Sequence, residues 1–117
     1  MTTNTETQQN FAPPAVFDTE HVKENLRWGH LFWPGATALT EAQIDDRVVR
    51  YQESLRRYRA SGMTENYLPE DLEVDSVWHA HQCDPVGYAE FCNQYFGGLL
   101  AHNVKLCVCK LVDLDQQ

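Results

Sequence analysis

Ile44, Val48, Tyr51, Leu55 and Tyr58 recur at spacings of four, three, four and three. Side chains three and four residues apart share one face of an α-helix, so this run predicts a single apolar stripe along about five turns. Both ends of the stripe are marked. Thr40 stands where a cap is needed, and Gln43 three residues later completes a capping box. Ser61-Gly62 supplies the stop. A helix near 40–61 needs partners for its buried face. The rest of the chain must therefore supply helices or a sheet to cover it. The stripe reads as core, with a dimer seam as the other use of such a regular face.

Similar punctuation marks three more helices. Asp18-Thr19 opens one near 18–28, with Glu20 in the turn that the helix dipole favours for acids. Val22, Leu26 and either Trp28 or Gly29 would face inward. Leu68-Pro69, followed by Glu70, Asp71 and Glu73, opens one near 69–82. Asp84-Pro85 opens the last, near 85–97, which Gly97-Gly98 ends. The fold class is then all-α, mainly: a small bundle of about four helices. The segment VKLCVCKLVDL permits a short C-terminal strand. Residues 1–10 read as a disordered tail and 11–117 as one domain. Phe11 and Phe17 flank Pro13-Pro14 and would pin an extended arm to the domain. Leu31, Phe32 and Trp33, ahead of the Pro34-Gly35 turn, are core plugs or the wall of a pocket.

The chain of 117 residues carries 17 acidic against 9 basic side chains, a formal charge of −8. That balance argues against nucleic acid and against an anionic membrane surface, both of which require clustered positive charge. Arg47, Arg50, Arg56, Arg57 and Arg59 do cluster, but on the polar side of the second helix. No apolar run is long enough to span a membrane. The first ten residues lack the basic and apolar regions of a signal peptide. Cytoplasmic location and free thiols are the matching expectations for Cys83, Cys92, Cys107 and Cys109. A monomer and a homodimer both fit.

The chemistry-bearing residues gather between Asp75 and His102. On a helix over 69–82, Asp75 and His79 lie four apart on one face. His79 and His81 lie two apart and point about 200° from each other. A single metal held by both histidines would need the helix to unwind. A zinc site from Asp75, His79 and Cys83 or His102 would not. An acid–base site uses the same atoms: Asp75 orients His79, whose ring then moves a proton on a small aromatic or carbonyl-containing molecule. The candidate catalytic set is His79, Asp75, His81 and His102. Trp78, Tyr88, Cys92, Cys83 and Trp33 are the candidate pocket residues. Either thiol is a nucleophile only if a histidine lowers its pKa. In a third reading the cluster is structural and the domain is a non-catalytic interaction or scaffold module.

The run VDSVWHAHQCDPVGYAEFCNQYFGGLLAHN resembles the core of the glycine-rich domain-containing protein-like family. The shared pattern is an acidic residue, Trp-His-x-His, a Tyr, a Cys, Phe-Gly and a final His. Asp75, Trp78, His79, His81, Tyr88, Cys92, Phe96, Gly97 and His102 occupy those positions. The resemblance covers about 30 residues and extends loosely through the Tyr51–Tyr58 helix. It implies a fold and a residue list, and no reaction. Two departures stand out. Cys83 replaces a usually aliphatic residue. Asn103 leads into VKLCVCKLVDL where the family continues with Phe-Pro-aromatic.

Overall fold

The computed structural model describes residues 12–31 and 37–100. The tail, Trp33, the permitted C-terminal strand, His102, Cys107 and Cys109 lie outside the described residues. Within them the architecture is helical: α1 (Thr19–Trp28), a 3-10 turn (Gly29–Leu31), α2 (Glu41–Ala60), α3 (Leu72–Gln82) and α4 (Pro85–Tyr95). No strand occurs among the described residues. The four-helix expectation is met, and no described helix is long and apolar enough to cross a membrane.

The caps decide where each helix begins. The Asp18 carboxylate accepts from the His21 amide. Thr40 and Gln43 form the reciprocal capping box, with the Gln43 amide donating to Thr40 Oγ1 at 3.1 Å and the Thr40 amide donating to Gln43 Oε1 at 2.9 Å. The third helix starts three residues later than the Leu68-Pro69 signal suggested. Asp71 caps it by accepting from the Val74 amide at 2.9 Å. A carboxylate that can reach the third amide outcompetes a proline whose only contribution is a fixed φ. Gly62, at φ 91°, ends α2 in the left-handed conformation that glycine adopts without steric cost.

The predicted stripe is the centre of the core. Ile44, Val48, Tyr51 and Leu55 are fully buried, and Tyr58 packs at the margin. They meet Val22 and Leu26 of α1, Val74, Val77 and Trp78 of α3, and Phe91 and Cys92 of α4 in one cluster. Of the two alternatives for the inward position after Leu26, Trp28 is not the one: it is 48% exposed, with its indole donating to Glu24, and Gly29 is half-buried. Helices α1, α2 and α3 pack on one another, and α4 packs on α3. Asn25 of α1 donates to the Ala80 carbonyl at 2.9 Å, giving a partner to one of the last carbonyls of α3.

The arginine face of α2 is neutralised by the start of α3. Arg50 pairs with Asp71 and with Glu73, Arg47 reaches Glu73 at 3.4 Å, and Arg57 reaches Glu70 at 2.8 Å. Arg56 pairs with Glu53 along the helix, and the Arg59 guanidinium sits over the Tyr95 ring. The face is thus a set of cross-helix ion pairs rather than bare positive charge. These exposed pairs stabilise modestly and mainly fix how α3 lies against α2.

Candidate functional site

Helix α3 carries the Trp-His-x-His motif, and its geometry separates the two histidines as a straight helix must. His79 Nε2 stands 3.2 Å from Asp75 Oδ2. The His79 side chain is 21% exposed, while that of Asp75 beneath it is 4% exposed. A buried carboxylate therefore orients a ring that reaches the surface. This is the i,i+4 pair anticipated from spacing, now at hydrogen-bonding distance.

His81 points the other way, into the protein, and is 3% exposed. Its Nδ1 lies 2.8 Å from the hydroxyl of Tyr51 on α2. Phe17 of the N-terminal arm stacks on the imidazole at a centroid distance of 4.2 Å. Tyr51 and Tyr88 approach it edge-on at 5.7 and 4.9 Å, and Phe91 leans on it at 5.3 Å. Burial among these rings holds the imidazole down to about 4 from the ordinary 6.5, and the Asp84 carboxylate opposes this only in part. The ring is neutral at pH 7. Burial likewise raises Tyr51 far above the usual phenol range. Whichever partner donates, the Tyr51–His81 bond joins two uncharged groups.

A second chain of hydrogen bonds runs through the motif. Trp78 Nε1–H donates to Tyr88 Oη at 2.8 Å, and the Tyr88 hydroxyl donates to the Leu100 carbonyl at 2.5 Å. The Cys92 thiol is fully buried in the same core cluster. Burial raises the Cys92 pKa. A raised thiol pKa depletes the thiolate, so Cys92 is poorly suited to nucleophilic attack. Cys83 sits at the exposed C-terminal cap of α3. It does not continue the Asp75–His79 line into a three-residue cluster. Among the described residues no group of three or more His, Cys, Asp or Glu side chains could hold a metal ion.

The candidate residues thus fall into two groups. Trp78, His81, Tyr88 and Cys92 converge on buried packing between α3, α4 and the strand-free segment at Leu100. Asp75 and His79 form a separate pair that reaches the surface. A groove of about 440 Å³ lies elsewhere, between the end of α2 and the 61–70 link, and none of these residues lines it. Sequence reading missed three partners of the motif: Tyr51, Phe17 and Leu100. Tyr51 left a signal. A tyrosine at the centre of a fully buried stripe requires a hydrogen-bond partner, and that requirement points to a polar residue on the facing helix. Comparisons with protein-family models, with characterised proteins and with solved structures return no match.

Proposed function

We propose that the protein is a non-catalytic interaction module in which the His/Trp/Cys cluster builds and braces the binding scaffold. One observation carries this reading. His81, the most chemically versatile residue of the motif, is sealed in an aromatic box and held neutral. A histidine that moves protons for a substrate needs access to it and a pKa near the working pH; this one has neither. Trp78 donates to Tyr88, Tyr88 donates to the Leu100 carbonyl, and Cys92 is buried in the same core cluster. We further propose, on the sequence motif Asp75, Trp78, His79, His81, Tyr88, Cys92, Phe96, Gly97 and His102 alone, that the chain belongs with the glycine-rich domain-containing protein-like family.

The Asp75–His79 pair favours a second reading, an acid–base site for a small carbonyl-containing molecule. Deuterium exchange into the acidic C–H positions of a panel of small ketones and aldehydes, followed by NMR, separates the two. The interaction module gives exchange no faster than buffer containing free imidazole. Faster exchange that His79→Ala abolishes while the fold is retained would replace the first reading with the second.

A further inference from the structure

Residues 12–17 lie on the helices as a ligand lies in a groove. Pro13 and Pro14 fix their own φ and bias the residues before them toward extended conformations. An extended polyproline-type segment has three residues per turn, so positions three apart share a face. The burial pattern has that period. Ala12 and Ala15 are 3% and 2% exposed, whereas Pro13, Pro14 and Val16 face solvent. The small alanines let the backbone approach closely, and the helices bind that backbone directly. Tyr95 Oη–H of α4 donates to the Pro13 carbonyl at 2.5 Å, and Gln52 Nε2–H of α2 donates to the Ala15 carbonyl at 3.0 Å. Phe17 closes the contact as an aromatic anchor, stacked on His81 and edge-on to Tyr51 and Phe91. The arm thereby bridges α2 and α4, with His81 as the floor between them.

Hydroxyl and amide donors that capture carbonyls of an extended segment, beside aromatic side chains, are the chemistry of proline-rich peptide recognition. We infer that the Gln52–Tyr95–His81 groove is a docking site for a proline-rich segment of a partner protein. The segment has the form Ala-Pro-Pro-Ala-x-Phe, with small residues three apart and an aromatic two beyond. The chain's own arm occupies the groove in cis, and a partner segment takes it by displacing the arm. This rests on the interaction-module reading and supplies its partner class. The tethered arm competes at an effective concentration of roughly millimolar, so trans binding to the unmodified chain is weak until the arm is released.

The test uses the full chain and a fluorescent peptide of residues 12–18, APPAVFD. In the A12E/A15E chain, carboxylates replace two buried methyl groups and the arm cannot seat. That chain should bind the peptide at least about tenfold more tightly than the unmodified chain. A peptide carrying Glu in place of Ala15 should not bind. Adding Gln52→Ala should weaken binding severalfold. If A12E/A15E loses its helical circular dichroism, amide exchange in the unmodified chain decides instead. Excess APPAVFD should accelerate exchange at residues 15–17 severalfold, and the Glu-bearing peptide should not. A helical A12E/A15E chain that fails to bind, or binds both peptides alike, overturns the proposal. So does exchange that APPAVFD leaves unmoved. A dimer of the unmodified chain that A12E/A15E abolishes would make a second copy the occupant and overturn the partner assignment. None of these results depends on His79, so failure here and a positive deuterium-exchange result remain distinct.

Discussion

Acid should weaken this protein through one residue before its carboxylates titrate. His81 is held near 4 in the folded state against 6.5 when released. Above pH 6.5 the ring is neutral in both states and contributes no pH dependence. Between 6.5 and 4 the unfolded chain binds a proton that the folded chain refuses, so stability falls as pH falls. Below 4 both states are protonated and the loss is complete. The full difference of 2.5 between those two values corresponds to about 3 kcal/mol, of which about 2 kcal/mol develops between pH 7 and 5. That interval lies above the carboxylate range. Glu41 and Glu53, lowered by their bonds to Arg27 and Arg56, keep their stabilising charge until the pH drops below about 4.5. The assay is urea unfolding at pH 7 and pH 5 for the unmodified chain and for His81→Gln. The substitution retains an acceptor for Tyr51 and removes the titration. It should be the less stable protein at pH 7, having lost the Phe17 stack. The gap between the two should narrow by about 2 kcal/mol at pH 5. A gap that stays constant would refute the claim that His81 is buried as a neutral ring.

Three further substitutions probe the scaffold. Tyr88→Phe removes the hydroxyl that accepts from the Trp78 indole N–H and donates to the Leu100 carbonyl; thermal or urea unfolding should show a loss of about 1–3 kcal/mol. Thr40→Ala removes the capping box of α2 and should cost about 1 kcal/mol in the same measurement. Gly87→Ala tests a clash that is invisible to helix propensity: the new Cβ would sit 2.1 Å from Asp84 Oδ2, so the cap of α4 must move aside. Alanine should therefore fail to give its usual gain of about 1 kcal/mol in the unmodified chain and should recover it in an Asp84→Ala background.

Most of the helical frame was legible because its signals are local. Thr40, Gln43, Asp18, Asp84 and Gly62 act on atoms within four residues, and each does in the fold what its spacing implies. The start of α3 was misplaced because two local signals competed, and the stronger was the Asp71 carboxylate. The outward turn of Trp28 was illegible for a different reason: Glu24, four residues back, offers its indole a surface partner. In the candidate site, the Asp75–His79 pair and the opposite aim of His81 follow from helix periodicity alone. The environment of His81 does not. Its box is assembled by Phe17, Tyr51, Tyr88 and Phe91, from sequence positions up to 64 residues away from it (17 against 81), and only the packing of the arm, α2 and α4 around α3 brings them together.

Asp71 performs two tasks with one carboxylate, capping α3 through the Val74 amide and receiving Arg50 from α2. The cap of α2, by contrast, is formed by its own Thr40 and Gln43. This asymmetry sets an order of assembly. A twenty-residue helix with a self-contained cap and an internal Glu53–Arg56 pair is long enough to hold helical structure transiently in the unfolded chain, whereas the eleven residues of α3 are too few. Helix α2 is therefore expected to form first and present Arg50 as a template for α3, so that Arg50→Ala should slow folding measured by stopped flow, and an unchanged folding rate would count against this order. On that order, local winding and long-range docking of α3 would be a single kinetic event, and the motif it carries would take shape only once α2 is in place.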